Sequence, residues 1–305
     1  MTQLFSYPSP GKRKGLKICT DFTVGARGTI IPVGSTKSIR RDGEAFFYGM
    51  DSYTKPLIEQ AERGRVDWYY ADNAYYFGRG AYFRVTRNAL MYDGTHGLHN
   101  RDSYRFDDLG INIESFRTRG KYILLTTQSE FFYTFRMKTD REKWIKQTIA
   151  KIRQFTDREI IVCRKPQPRM MARNQPHDAD FEGYVGRAWC LVTHSSSTGV
   201  GALIKGVPVV SLAPSMCTPV ETKLEDINSP HYPEDRYEWL CTLANNQWTR
   251  EEMRNGTCWG MIKENEQDGI RGRADGGWTG DEPVRLPRRP EESGDPRCEG
   301  TAQEA

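Results

Sequence analysis

Trp189 to Ala213, WCLVTHSSSTGVGALIKGVPVVSLA, is the stretch whose pattern decides the fold. Cys190-Leu191-Val192-Thr193 is an apolar, β-forming run of the length of a buried strand. His194 to Thr198 interrupts it with polar side chains. Gly199 to Lys205 carries Val200, Leu203 and Ile204 at helical spacing, and Gly206 suits the left-handed position that ends a helix. Pro208 to Leu212 is a second apolar strand. Strand, loop, short helix and strand in this order make the crossover unit of a parallel sheet.

The loop lies where a strand hands over to a helix, so unpaired amides and the positive end of the helix dipole are expected to face outward. Ser195, Ser196, Ser197 and Thr198 add hydroxyl donors, and Gly199 allows a ligand close to the backbone. This predicts a phosphate or diphosphate cradle, although the same residues also make a hydroxyl-rich helix cap without a ligand.

Working upstream, Tyr122 to Thr126 (YILLT) is a strand with Gln128 and Ser129 at its end. Asp140 caps a helix running to Phe155, in which Trp144, Ile145, Thr148, Ile149 and Ile152 recur at helical spacing. Ile160 to Cys163 is a further strand, followed by Arg164 and Lys165. Residues 121–212 thus read as one Rossmann-like half whose strand ends converge on one edge. Two cations beside a hydroxyl-rich helix start are what a diphosphate requires.

The first half is less regular. Residues 1–14 read as a loose leader, Leu16 to Phe22 (LKICTDF) as a strand, and Ala45 to Gly49 as a second strand. Lys55 to Glu62 is an amphipathic helix and Val66 to Ala71 a third strand. Asp72 follows it, at the position where open α/β sheets place ligands, and is the candidate general base. Asn73, Arg79, Arg84, Arg87 and Asn88, interleaved with aromatics, are candidate acceptor contacts. The alternatives are a loop-capping Asp72 and a two-stranded ribbon showing its polar face.

Beyond Leu212, Pro233 to Leu243 reads as a helix, and Asn245 to Thr249 opens another, with Thr249 and Glu252 forming a capping box. Trp239, Leu243, Trp248 and Trp259 are expected to pack this helical pair back across the two halves. Residues 271–305 carry six Arg and eight acidic side chains with few apolar ones, which predicts a disordered tail. The rest of the chain then holds 38 basic against 32 acidic residues, an excess of 6 compatible with a polyanionic partner. Charged residues make up 28% of the 305, the mean hydropathy is −0.71, and no apolar run is long enough for a membrane span. Seven scattered cysteines without a C-x-x-C pair fit reduced thiols in a cytoplasm, and five dispersed histidines give no metal-ligand spacing.

Val192-Thr193-His194-Ser195-Ser196-Ser197-Thr198-Gly199, Ala202-Leu203 and Gly206-Val207-Pro208-Val209-Val210 together resemble glycosyltransferases of the GT-B class, in particular bacterial capsule-polysaccharide and Kdo transferases and their phage relatives. The resemblance covers residues 121–212 and reaches the first half by architecture. It implies that His194 to Gly199, with Arg164 and Lys165, hold the donor's nucleotide diphosphate. The family pattern places a Glu before the Ala-Leu pair, often on the donor ribose, where this chain has Gly201. Glu221, or else Glu225, is then expected to supply that contact, with Gln128 and Ser129 near the donor nucleoside or sugar.

The expectation is therefore an α/β protein of two Rossmann-like domains, GT-B-like, facing across a cleft. An acceptor domain spans 1–115, a donor domain with closing helices 116–270, and the tail 271–305. The expected activity is metal-independent glycosyl transfer from a nucleotide sugar, with no cofactor. The expected acceptor is a hydroxyl, as on a 5-hydroxymethylpyrimidine of DNA in a phage setting, with a capsule or envelope glycan as the enzyme alternative. A non-catalytic nucleotide- or nucleic-acid-binding module is the alternative of another class.

Overall fold

The computed structural model describes residues 3–75, 77, 80–165 and 180–274, the last nine as backbone only. Two sheets organise it. The first contains β1 (Gln3–Ser6), β2 (Thr29–Ile30), β3 (Gly43–Tyr48), β4 (Trp68–Asn73), β5 (Tyr82–Arg87) and β10 (Gln247–Thr249), in the order β10-β5-β4-β3-β1-β2. Its members from β4 to β2 are parallel, while β5 is antiparallel to both β4 and β10. The second holds β6 (Tyr122–Thr126), β7 (Glu159–Cys163), β8 (Ala188–Thr193) and β9 (Val209–Ser211), all parallel, in the order β7-β6-β8-β9.

Both sheets are covered on two faces, which explains the continuous apolar runs in their strands. In the first, Leu4, Phe46 and Tyr69 face α1 (Arg13–Gly25), α8 (Arg250–Arg254) and α9 (Thr257–Ala274), joining Phe22 and Met253 in one core. Phe5, Phe47, Trp68 and Tyr70, one residue out of phase, face α2 (Thr54–Gly64) through Leu57 and Ile58. In the second, Ile123, Leu125, Cys190 and Val192 pack on Trp144, Ile145 and Ile152 of α4 (Arg141–Ile152). Leu124, Leu191 and Val209 pack on Val200 and Leu203 of α6 (Thr198–Ile204) and on Trp239 and Leu243 of α7 (Arg236–Asn245). That last core also takes in Val185 of α5 (Phe181–Val185) and, from the first half, Tyr75, Phe77, Tyr92 and the α3 (Tyr104–Asp107) residue Phe106, so the two halves share apolar packing on one side of the cleft.

Three expectations are corrected. Leu16 to Phe22 is part of helix α1 and not a strand: Ile18, Cys19 and Phe22 are buried together while Leu16 is 39% exposed, a helical and not an alternating pattern. The first strand is instead β1, inside the expected leader, where Leu4 and Phe5 bury opposite faces of the sheet between β3 and β2. Gln247 to Thr249 is an edge strand and not the start of a helix; it pairs with β5, so β10, α8 and α9 sit on the first sheet and not with residues 116–245.

The helical pair does tie the halves together. Trp248 enters the first core while Trp239 and Leu243 enter the second, and the capping box at Thr249 and Glu252 starts α8. Buried Asn246 donates to and accepts from the backbone of Leu98 at 2.7 Å each, and Asn245 donates to the carbonyls of Asn100 and Asp102. Helix α9 runs past residue 270, and the expected tail beyond Ala274 lies outside the described residues. No helix among the described residues is long and apolar enough to cross a membrane.

Candidate active site

Because the second sheet is parallel, the loops after β6, β7, β8 and β9 leave from one edge. The chain goes from β6 to β7 on one side and from β8 to β9 on the other, so a crevice opens between the ends of β6 and β8. Two threonines stitch these ends together. The hydroxyls of Thr126 and Thr198 are 2.9 Å apart, and Thr193 Oγ1 donates to the Thr126 carbonyl at 3.3 Å.

A cavity of about 360 Å³ lies in front of that crevice. Its second-half wall contains His194 and Ser195 from the loop after β8, Pro214 after β9, and Phe132, Arg136 and Met137 after β6. The last three belong to a π-helical turn, Phe132–Met137, an uncommon geometry that often accompanies functional sites. Its four-residue spacing sets Phe132 and Arg136 along the cavity and stacks Phe131 on Phe135 at 4.7 Å. The opposite wall is the segment Ala89 to Asp93 of the first half.

Arg136 is the conspicuous charge. Its Cζ lies 5.6 Å from the Phe132 ring centre, and among the described residues its guanidinium makes no ion pair and no hydrogen bond. Desolvation in the cleft, with the Arg84 charge acting in the same sense, lowers its pKa, while Tyr70 and Asp72 across the cleft oppose this. Such a guanidinium is set up to receive an anion. Beside it, His194 Nδ1 is 3.0 Å from Ser195 Oγ, and its ring is held between Phe132 and Trp144 at 5.1 and 6.4 Å. Burial, then the Arg136 charge, lower the pKa of His194, which keeps the imidazole neutral at physiological pH.

No protein-family model matches the sequence, and no curated protein matches it. Solved structures do. The chain is similar to Thermosulfurimonas dismutans KpsC, beta Kdo 2,4 transferase, with a TM-score of 0.50 and 14% identity over 79% of this chain and 90% of that one. The chain has a GT-B-like fold. A Thermosulfurimonas dismutans KpsC, beta Kdo 2,7 transferase, matches at TM-score 0.46 and 13% identity over 85% and 99% of the two chains. An S. aureus MnaA-UDP co-structure matches at TM-score 0.28 and 10% identity over 89% and 97%. At these identities the likeness is one of fold.

In this GT-B-like frame the sequence-predicted donor residues divide. Gln128, His194 and Ser195 come together, with Gln128 Nε2 donating to Ser195 Oγ at 3.4 Å. The amides of Ser196, Thr198, Gly199 and Val200 are consumed inside the loop, by Thr193 Oγ1, Ser196 Oγ, the Ser196 carbonyl and the Ser197 carbonyl. Gly199 answers to packing: a Cβ there would stand 2.8 Å from Cys217 Sγ and 3.2 Å from Val209 Cγ1. Arg164 holds Glu142 of α4 with two 2.8 Å bonds, whereas Lys165 is exposed at the end of β7. Ser129 lies just ahead of the π-helical turn, its carbonyl accepting from Phe132 N at 2.9 Å.

Glu221 stands at the end of the turn that follows β9. One of its oxygens, Oε2, is buried without a hydrogen-bond partner, and burial raises the carboxyl's pKa against the opposing bonds from Ser211. Gly201 is buried within α6.

On the first half, Asp72 and Asn73 lie at the end of β4. Asp72 Oδ2 accepts from Arg84 Nη2 at 3.1 Å and Tyr70 OH at 3.2 Å; its Oδ1 accepts from Asn73 N at 2.7 Å. Asn73 Oδ1 accepts from Lys14 at 2.6 Å. Arg84 is 12% exposed and also donates to the carbonyls of Asn73 and Leu90, so it fastens the cavity wall instead of standing free for an acceptor. Arg87 and Asn88 are not brought to the site. Arg87 pairs in register with Tyr69 at the opposite end of β4, and Arg87 and Asn88 donate to Asp67 at 2.6 and 2.8 Å. Arg79 lies outside the described residues.

Sequence reasoning missed Arg136 and Phe132. The signal available was Phe131 to Met137, an aromatic run with one arginine placed directly after a strand end. Among the described residues, no group of three or more His, Cys, Asp or Glu stands where it could hold a metal ion.

Proposed function

We propose that this chain is a glycosyltransferase that takes a nucleotide-activated sugar in the cleft between its halves. The observation that carries the reading is Arg136, a guanidinium without an ion pair among the described residues, lining a cavity with His194 and Ser195 at the crevice of a GT-B-like sheet. Departure of a nucleoside phosphate leaves negative charge on oxygen, and a fixed cation beside hydrogen-bond donors stabilises it. Lys165, exposed at the neighbouring strand end, adds positive charge to the same edge. Glu221, whose buried oxygen has no partner, offers an acceptor for ribose hydroxyls in place of a Glu at position 201.

On the other wall, Asp72 is the group proposed to take the acceptor's proton. Arg84 and Tyr70 occupy Oδ2, which leaves Oδ1, shared with the Asn73 amide, for that work. We favour a carbohydrate hydroxyl as acceptor. Of the arginines that pointed to DNA, Arg84 is spent on Asp72 and Arg87 on Asp67. A 5-hydroxymethylpyrimidine in DNA is the second candidate, supported by the basic excess of residues 1–270.

The test is release of nucleoside phosphate from a panel of nucleotide sugars by wild type and Arg136→Gln. Turnover of at least one donor, cut ~10- to 100-fold in the variant, is expected for loss of a charge-assisted contact to the leaving group. Equal turnover by both would remove Arg136 from the donor site.

A further inference from the structure

We infer that the donor's sugar carries a methyl-bearing substituent, an N-acetyl group or a 6-deoxy carbon, and that Leu90, Met91, Met137 and Pro214 receive that methyl in the cleft. This rests on the nucleotide-sugar reading above.

The cavity offers few free hydrogen-bonding groups. Its first-half wall presents Ala89, Leu90 and Met91, and the second half adds Phe132, Met137 and Pro214. The backbone of the first wall is already engaged. The Ala89 carbonyl accepts from Thr86 Oγ1 at 2.8 Å, the Leu90 carbonyl accepts from Arg84 Nε at 3.4 Å, and the Tyr92 amide donates to Tyr75 OH at 3.0 Å. On the other wall Pro214 has no N–H to offer, and the Phe132 amide donates to the Ser129 carbonyl at 2.9 Å.

Most of the polar side chains in the lining are also engaged. Asp93 accepts from the amides of Thr95 and His96 at 3.0 Å each, and its oxygens lie 3.1 Å from His96 Nδ1. His194 Nδ1 and Ser195 Oγ meet each other at 3.0 Å. Arg136 is the lining charge without an ion pair among the described residues, and a guanidinium suits an anion better than a neutral hydroxyl.

A sugar hydroxyl pressed against these walls gives up water without gaining a partner, which costs free energy. A methyl group in the same place gains by leaving water. The walls therefore select against a fully hydroxylated hexose and favour a sugar in which a methyl or an acetamido group replaces a hydroxyl. Met91 and Met137 reach the cavity from opposite halves, and their unbranched thioether chains adapt to a methyl at more than one ring position. N-acetyl and 6-deoxy sugars share this chemistry, and matched donors tell them apart.

The wild-type chain is given donors in pairs that share a nucleotide and differ at one substituent. These are UDP-N-acetylglucosamine against UDP-glucose, UDP-N-acetylgalactosamine against UDP-galactose, and GDP-L-fucose against GDP-L-galactose, with CMP-Kdo, whose sugar has no methyl, run alongside. Nucleotide release in the presence of neutral and acidic oligosaccharides gives kcat/KM for each donor. The methyl-bearing member of at least one pair is expected to lead by ~10-fold or more, the worth of one methyl-sized group in a fitted apolar pocket. Met91→Gln and Met137→Gln keep the length of the side chain and replace its thioether by an amide, and each is expected to cut that lead at least ~3-fold. The lead compares two donors on the same protein, so a smaller folded fraction in a variant cancels. Equal turnover within every pair assigns the apolar walls to the nucleotide's base and overturns the inference, with the donor reading left standing. A lead for the hydroxylated members, turnover of CMP-Kdo alone, or a lead that neither glutamine variant reduces has the same effect. A wild-type chain that releases nucleotide from none of these donors overturns both.

Discussion

Replacing Gly199 by alanine separates packing from ligand approach, because the two accounts of this glycine give opposite signs. In an uncrowded helix the change would stabilise by ~0.5–1 kcal/mol, since alanine loses less backbone freedom than glycine. Here the added Cβ meets Cys217 Sγ at 2.8 Å and Val209 Cγ1 at 3.2 Å, in a core where Cys217 and Val209 are fully buried. Overpacking of this kind costs ~1–3 kcal/mol, so the crowding wins and a net loss of about 1–2 kcal/mol is expected. Cys217→Ala removes the offending sulfur, and the nearest remaining side-chain atom of that residue is Cβ at 3.9 Å. In that background the 3.2 Å approach of Val209 Cγ1 remains and offsets the helix preference, so Gly199→Ala should lose most of its cost and fall within about 0.5 kcal/mol of neutral. Urea unfolding of the four proteins of this cycle measures the coupling directly. Nucleotide affinity is expected to follow stability and not the presence of the methyl group. A Gly199→Ala protein as stable as wild type, with nucleotide binding lost and not restored by Cys217→Ala, would refute the packing argument and return Gly199 to the ligand.

Asp51, 12% exposed and capping α2, is held by Lys12 at 2.6 Å, Ser9 at 2.6 Å and the amides of Tyr53 and Thr54; burial alone would raise its pKa, but these partners bring it down to about 2. A depressed carboxyl contributes stability above its unfolded value and loses it as the pH falls toward the folded value, so Asp51→Asn should cost about 2 kcal/mol at pH 7 in urea unfolding, with the gap closing between about pH 4 and pH 2. A gap independent of pH would disprove the charge account. Glu221 has the opposite sign: its raised pKa means that stability is lost as the pH rises from the unfolded value through the folded one. Glu221→Gln should accordingly melt higher than wild type at neutral pH, match it below about pH 4, and bind nucleoside more weakly; a lower melting temperature at neutral pH would contradict this. Asp72→Asn should lower kcat about 100-fold, the lower end for a positioned base that shares its oxygens with Arg84 and Tyr70, and leave nucleotide affinity unchanged. Undiminished kcat would place the base elsewhere.

Much of the second half was legible because its signals are local. The run from Trp189 to Ala213 spells β8, loop, α6 and β9 in consecutive residues, and Asp140 caps α4 three residues before its partner, the Lys143 amide. Leu16 to Phe22 misleads because Leu16, Ile18, Thr20 and Phe22 alternate well enough for a strand while Ile18, Cys19 and Phe22 satisfy a helix; tertiary packing chooses the latter. Gln247 to Thr249 is a three-residue edge strand whose identity comes from β5, over 150 residues earlier. The site was legible in part for the same reason. Gln128, Ser195 and His194 lie at strand ends that the pattern locates, but Arg84's carboxylate partner is twelve residues away and Arg164's is twenty-two, and no spacing rule reveals either pair. Arg136 stood unnoticed because a π-helical turn has no periodicity that sequence reading recognises. The closeness of Gly199 to Cys217 depends on how α6 settles on β9, which only the assembled sheet determines.

We propose that the cleft transfers a sugar from a nucleotide donor to a carbohydrate hydroxyl. This is tested most directly by incubating the wild-type chain with a panel of nucleotide sugars against neutral and acidic oligosaccharides and 5-hydroxymethylcytosine DNA, then weighing the acceptors by mass spectrometry. A sugar-sized mass gain on an oligosaccharide, dependent on the donor and abolished in Arg136→Gln, is the predicted result. A gain on the DNA base alone would contradict the choice of acceptor, and no gain on any acceptor, with no nucleotide released, would contradict the claim itself.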